Sequence, residues 1–417
     1  MTNLALGDLC DFAATQVDPA ANSALPYIGL EHVVTGRFDV EATGTASDVT
    51  SSKYLFKAGD VLYGKLRPYL DKAVIATGDG LCTTELLVLR PKSDVDARFL
   101  AAVVHSQQFI DHAMAGVTGA QHPRTSWPHL RDFSLPAFDP EAQAKIASVA
   151  SIVQAGIRSC EATLNSATAL KRAAMRELFT RGLRGGEQTE TEFGLVPALW
   201  DAVVLDDMGV VQTGAAKGRQ LGDVDTVEVP YLRVANVQDG HLDLSDMKTI
   251  KIRQSEIERY RLRNGDVVLT EGGDFDKLGR GFIWNGELDL CVHQNHVFAV
   301  RPDSSRLIPK FFAYQCQSPY GKAYFLKVAH KTTNLACINS TKLKAFPALV
   351  PPDKQEQLDI VEILEAIDQK IELGKRKKAV LEELFRALLH KLMSGELHVS
   401  DLDLSALHTA AQAETRA

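Results

Sequence analysis

Residues 59–74 read GDVLYGKLRPYLDKAV, and residues 265–280 read GDVVLTEGGDFDKLGR. Each opens with Gly-Asp and an apolar run suited to a strand. Each then breaks into a loop that mixes glycine with charge. One copy would be an ordinary strand-to-loop junction. Two copies raise the question of whether the whole chain is doubled, which has to be settled before local structure is read.

The doubling runs well past these stretches. YIGLEHVVTGRFD from Tyr27 is echoed by YLRVANVQDGHLD from Tyr231, and LCTTELLVLRP, ending at Pro91, by LCVHQNHVFAVRP, ending at Pro302. LRDFSLPAFDPEAQAKI from Leu130 matches LKAFPALVPPDKQEQLDI from Leu343, and AAMRELFTRGL from Ala173 matches ALLHKLMSGEL from Ala387. The order is kept, and the offset drifts only from 204 (Tyr27 to Tyr231) to 214 (Ala173 to Ala387). This is one tandem duplication with small insertions.

Each half has two textures. Its front is strand-rich, with short β-branched and aromatic runs cut by Gly, Pro, Asn and Asp. Its back is helical and long. From Asp139 a seam of apolar or small residues runs through Ile146, Val149, Val153, Gly156, Cys160, Leu164, Ala167, Ala174 and Leu178, in steps of three and four with one gap. The second helix, from Lys354 to about Ser394, repeats it through Ile360, Ile363, Ile367, Ile371, Leu381, Leu384, Leu388 and Leu392. Asp139 and Asp353 stand where N-caps belong, with Pro140 at the first helical position. Gly374, followed by KRKK, is expected to weaken the middle of the second helix. Forty helical residues span roughly 60 Å, and neither stripe is stable exposed. Antiparallel pairing of the two is expected, with each helix packing on its own domain as the alternative. Paired so, they would place two globules at opposite ends about a pseudo-two-fold axis. The fold class expected is α+β: mixed α/β globules separated by two long helices that pair as an antiparallel coiled coil.

The bulk numbers fit. The 417 residues are 45% hydrophobic and 24% charged, ordinary globular composition that favours two or three domains. No apolar stretch is long enough to span a membrane. The opening MTNLALGDLCDF lacks a basic region followed by an apolar core, so no secretory signal is expected. Six single cysteines with no C-x-x-C pair suit a reducing cytoplasm and argue against a zinc site or a disulfide framework. The net charge of −7 does not favour nucleic-acid binding by the chain alone.

Catalytic signatures are missing. There is no G-x-x-x-x-G-K-[ST] phosphate loop, no [ND]-P-P-[FYW] of amino-methyltransferases and no Gly-rich cofactor loop after a strand. In CVHQNH from Cys291, strand alternation would put His293 and Asn295 on one face and Gln294 and His296 on the other, which scatters any metal ligands. No catalytic residue, metal or cofactor is expected.

What accumulates instead is hydrogen-bonding vocabulary in loops. The first half carries Lys65, Arg67, Tyr69 and Lys72, then Thr83, Thr84 and Glu85, then Gln121, His122, Arg124 and Thr125. The second carries Lys217 and Arg219, then Thr270, Glu271, Lys277 and Arg280, then Gln294, Asn295 and His296, then Lys331, Thr332, Thr333 and Asn334. Arg and Lys read guanine edges, Asn and Gln adenine edges, and Glu accepts from cytosine; Thr and Tyr hold phosphates. Any one of these could be a solvated loop residue. The signal is three clusters recurring at matching places in both halves.

At this point the chain resembles the specificity subunit of type I restriction–modification systems. The resemblance rests on GDVLYGKLRP, TTELLVLRP, the helix starts LPAFDPEAQAKI and PPDKQEQLDI, and the helix ends ELFTRGL and HKLMSGEL. It implies two target recognition domains, each reading one half of a split asymmetric double-stranded DNA site, with the helices setting the gap. It also implies partners: two modification subunits that carry S-adenosylmethionine and methylate adenine, and restriction subunits with translocase and nuclease activity. The corresponding division is recognition domain 1–138, helical spacer 139–183, linker 184–196, recognition domain 197–352, helical spacer 353–395 and a frayed tail 396–417. Partners that neutralise the phosphates would resolve the charge conflict. Three other readings stay open: a subunit of a non-restricting modification or related phage-defence system, a self-sufficient modification enzyme, and a coiled-coil scaffold that binds protein or RNA.

Overall fold

The structure, a computed structural model, describes residues 3–222, 225–332 and 335–401. The chain divides into two compact units, residues 1–164 with 373–417 and residues 165–372, so each long helix contributes to both.

In the first unit an antiparallel sheet runs in the order Cys10–Phe12, Leu86–Pro91, Val61–Gly64, Ala73–Ile75. Both of its faces are covered. Val61, Tyr63, Leu87 and Leu89 join one core with the helix Ala97–Val104, while Leu62, Val74, Leu86 and Val88 turn into another. Double burial is why GDVLYG reads as a continuous apolar run rather than an alternating one. A second sheet sets Pro26–Ile28 parallel to Gly80–Cys82, with Tyr27 opposite Leu81. Asn3–Ala5 closes the unit by pairing with Ser134–Pro136.

The second unit repeats this plan. Gly209–Thr213, Val297–Pro302, Val267–Thr270 and Gly281–Ile283 form an antiparallel sheet in the corresponding order. Thr226–Leu232 is parallel to Val292–His293 with Tyr231 opposite Val292, and Asp201–Val204 pairs with Pro347–Val350. Each unit also has a helix pair joined at a buried serine. Ser106 Oγ accepts from Phe109 N at 3.3 Å, and Ser318 Oγ accepts from Gly321 N at 3.2 Å. The second sheets diverge. Lys53–Phe56 pairs with Gly80–Cys82, whereas Lys248–Arg253 pairs instead with Thr226–Leu232.

The long helices run over Pro140–Arg181 and Lys354–Ser394. Asp139 and Asp353 do cap them, accepting from Ala142 N at 2.7 Å and Gln355 N at 2.8 Å. In the first unit Ile146, Val153 and Ile157 share a core with Phe385, Leu389 and Leu392. In the second, Met175 and Phe179 share one with Ile360 and Leu364. Start meets end in both, so the helices pair antiparallel. Two expectations need correction. Ile363 and Leu384 are exposed, not on the seam, because the buried line passes through their neighbours Leu364 and Phe385. The second helix is also unbroken at Gly374, where a Cβ would lie 2.9 Å from Leu164 Cδ2. That glycine permits close helix approach.

Leu397 and Val399 pack against the first unit's core, and residues 402–417 of the expected tail lie outside the described residues. No helix among the described residues is long and apolar enough to cross a membrane.

Candidate nucleic-acid interface

In the first unit the strand Val61–Gly64 runs into the loop 65–71, which closes where Gly64 N donates to Lys72 O at 2.7 Å. A side chain at Gly64 would crowd that carbonyl at 3.1 Å. Lys65 N donates to Glu85 O at 2.9 Å, Thr125 N to Lys65 O at 3.0 Å, and Arg67 N to Pro123 O at 2.8 Å. The three clusters expected from the sequence, around residues 65–72, 83–85 and 121–125, therefore meet. Tyr69, Gln121, His122 and Arg124 are exposed, and Lys65, Arg67 and Thr84 are half-buried. Arg124 Nε lies 3.0 Å from Glu85 Oε2. Lys65 and Arg67 have no ion-pair partner among the described residues. Arg67 and Asp71 sit in the left-handed region, at φ 52° and 48°, a conformation that costs a non-glycine residue roughly 1 kcal/mol.

The second unit assembles its loops with the same main-chain bonds. Thr270 N donates to Arg280 O at 2.9 Å, Glu271 N to His296 O at 3.0 Å, and Ile338 N to Glu271 O at 2.8 Å. Gly272–Gly273 pairs with Ala336–Cys337, which in turn pairs with His330–Lys331. Asn295 N donates to Ala215 O at 3.0 Å, which brings in the segment that carries Lys217 and Arg219. Lys217 and Lys331 are exposed, Gln294 and Asn295 half-buried. His296 is exposed, with Nδ1 2.5 Å from Glu271 Oε2 and Nε2 3.3 Å from Asn295 Nδ2. Thr333 and Asn334 lie outside the described residues.

Several of the chosen side chains are occupied within their own unit. Lys72 Nζ donates to Leu30 O at 2.6 Å, and at the matching place Arg280 Nη2 donates to Val234 O at 3.2 Å. Thr270 is fully buried, and its hydroxyl donates to Lys277 O at 3.2 Å. Arg219 grips Glu256 by two bonds of 2.7 and 2.8 Å, and this bonding holds the Glu256 carboxyl down to about 2. Lys277 is paired with Asp274. The pairing of Arg219 with a glutamate 37 residues away leaves no local signal. Sequence reading also passed over Phe275 and Leu335, which are 39% and 56% exposed on the same loops. Their signal is a large apolar residue inside a turn-rich polar stretch.

CVHQNH is not a strand throughout. Strand geometry ends at His293, and Gln294–Val297 is a turn closed by Val297 N donating to Gln294 O at 2.8 Å, so the alternation expected there does not hold. His293 is buried, and its Nδ1 donates to Val297 O at 2.6 Å. No group of three or more His, Cys, Asp or Glu among the described residues could hold a metal ion.

Residues 197–383 match the family described as Type I restriction modification DNA specificity domain. The putative type I restriction enzyme MjaX specificity subunit of Methanocaldococcus jannaschii is 26% identical over 204 residues, covering 47% of this chain and 48% of that protein. The MjaVIII specificity subunit of the same organism is 21% identical over 406 residues, or 94% and 90% of the two chains. The type I restriction–modification S subunit from M. genitalium superposes with a TM-score of 0.55 at 15% identity, over 94% of this chain and 96% of the other, so the two share a fold. The matches to the first three curated relatives span 48%, 38% and 37% of their lengths, about half or less.

Proposed function

We propose that this chain is the DNA-sequence-specificity subunit of a type I restriction–modification complex, with no catalytic role of its own. Each unit reads one half of a bipartite, asymmetric double-stranded site. The supporting observation is that three variable loops are gathered to one place in each unit by the same main-chain bonds, while their side chains differ. The paired helices set the gap between half-sites and dock two modification subunits, which transfer the methyl group to adenine; restriction subunits join that assembly. Residues 1–138 and 197–352 act as recognition domains, 139–183 and 353–395 as spacers, and 184–196 as a linker.

Base-edge contacts come from the accessible residues of the gathered loops: Lys65, Arg67, Tyr69, Thr84, Gln121, His122 and Arg124 in one unit, Lys217, Lys277, Gln294, Asn295 and Lys331 in the other. Each correct contact contributes roughly 1–3 kcal/mol of discrimination. With a net charge of −7, the chain leaves most phosphate neutralisation to its partners. The test is genome-wide adenine methylation in the native host with and without this gene. Loss of one split motif on deletion supports the reading, and an unchanged methylome in a host that expresses the modification subunits defeats it.

A further inference from the structure

His105 ends the helix Ala97–Val104 with its side chain fully buried. Its Nδ1 lies 2.6 Å from Asp71 Oδ1 and its Nε2 3.1 Å from Ala73 O. A carbonyl oxygen only accepts, so Nε2 carries a hydrogen. A carboxylate also only accepts, so either Nδ1 carries a second hydrogen or Asp71 carries one. Both arrangements hold one proton more than a neutral histidine beside a carboxylate. Phe38 stacks on the ring at 5.3 Å and 21°. Asp71 belongs to the end of the loop 65–71, where its carbonyl also accepts from Gly36 N at 2.9 Å.

The second unit solves the same problem without a proton. Gly279 takes the place of Asp71 and is likewise left-handed, at φ 60°. Gln317 takes the place of His105, and its Nε2 approaches Gly281 O at 3.5 Å, the carbonyl equivalent to that of Ala73. Glycine adopts this backbone freely and glutamine does not titrate.

We infer that His105 and Asp71 are positioning residues that hold the first unit's reading loop through one shared proton, a dependence the second unit lacks at the matching place. The inference rests on the DNA-reading function proposed above. The other charged groups around the pair are already engaged. Lys72 is held on Leu30 O, and Arg37, whose main chain lies toward the ring, is paired with Glu161 and Glu382. Tyr63 lies near Asp71 with its hydroxyl buried, so it adds no charge at neutral pH. Burial lowers the affinity of the imidazole for its proton, but Asp71 and the neighbouring carbonyls outweigh it and leave the value raised above the ordinary one. A raised histidine stabilises fully below the unfolded value near 6.5, and that contribution is lost as pH rises through the folded value.

The test uses the full chain assembled with its modification subunits, and duplexes carrying its methylated motif with either half scrambled. As pH is raised from the ordinary imidazole value near 6.5 into the alkaline range, discrimination in one half-word falls several-fold while the other half is unchanged. The double substitution Asp71→Gly with His105→Gln, which installs the second unit's pair, keeps discrimination and removes its pH dependence. Independently of DNA, nitrogen-15 NMR of the full-length chain, with His105 assigned by its loss in His105→Gln, shows the ring and carboxyl sharing the extra proton at pH 7. A ring already neutral beside an ionised Asp71 at pH 6.5 overturns the inference. Half-words that change together, or a double variant that keeps the pH slope, overturn it as well. Sequence-blind binding at every pH would instead overturn the DNA-reading function itself, whatever the NMR shows.

Discussion

Arg90 clasps Asp60 with two parallel bonds, Nε to Oδ1 at 2.8 Å and Nη2 to Oδ2 at 2.7 Å. Arg301 holds Asp266 in the same geometry, both bonds at 2.7 Å. Each carboxylate also accepts a main-chain N–H at 2.8 Å, from Lys57 and Arg263 respectively. The repeated Gly-Asp and Arg-Pro signatures are thus the two ends of one clasp that ties neighbouring strands. They mark scaffold, and the loops between them carry the variation.

Removing the clasp lowers stability without changing the words. Asp266 is fully buried, so Asp266→Ala strands the Arg301 guanidinium and the Arg263 N–H. A loss of about 2–4 kcal/mol is expected, read as a lower urea midpoint. The methylated motif in cells that still fold the protein should stay the same. A changed motif at unchanged stability would make the clasp part of recognition.

Lys277 and Arg280 stand three residues apart and are predicted to behave differently. Arg280 is committed to Val234 O, as Lys72 is to Leu30 O. Arg280→Ala therefore weakens the second unit's fold and lowers binding to all sequences alike. Among the described residues the Lys277 side chain is partnered by the exposed Asp274, a pairing of little strength in water. Lys277→Ala should relax one half-word by roughly 1–3 kcal/mol and spare the other. Competition binding with scrambled half-sites separates the two outcomes.

These differences mark what the sequence makes legible. The duplication is readable because the Asp–Arg clasp and the strand cores need the same residues in both copies. The caps Asp139 and Asp353 are readable because capping is local. The seam is readable only to within a residue. Counting in threes and fours lands on Gly156, Leu178, Ile363 and Leu384, whereas the neighbouring Ile157, Phe179, Leu364 and Phe385 are the buried ones. A stripe that is apolar at adjacent positions does not state which of two residues faces the partner. The loop clusters were legible as vocabulary, but the engagement of Arg219 by Glu256 and of Lys72 by Leu30 O depends on tertiary geometry.

The second unit should lose stability in mild acid through His293. Burial drives this imidazole down to about 4, and its Nε2 is buried without a partner among the described residues. A depressed histidine contributes fully above the unfolded value near 6.5, and that contribution fades as pH falls toward the folded one. About 2–3 kcal/mol is expected over that window. His293→Gln should flatten the slope between pH 6.5 and 5, measured by urea unfolding. An unchanged slope would mean that another group takes up the proton.

Thiol chemistry offers a direct probe of the interface. Five of the six cysteines are buried and Cys337 is exposed. Burial pushes the Cys10 and Cys291 thiols up to about 12, which leaves little reactive thiolate. One equivalent of maleimide should react rapidly with the native chain, at Cys337. Because that residue pairs with Gly272 beside the gathered loops, duplex carrying the right motif should slow the reaction more than scrambled duplex does. Equal protection by both would place Cys337 away from the bases.

Lys65 and Glu271 occupy the same place in the two copies with opposite charge. Each is nonetheless fastened by its own N–H and C=O, to Glu85 and Thr125 in one case and to His296 and Ile338 in the other. Peptide groups are common to every residue except proline, which lacks the donor. A lineage can therefore change the amino acid at such a position without rebuilding its moorings. Lys65 and Glu271 record one such divergence between copies of a single ancestral half: the text has been rewritten while the binding of the book stayed the same.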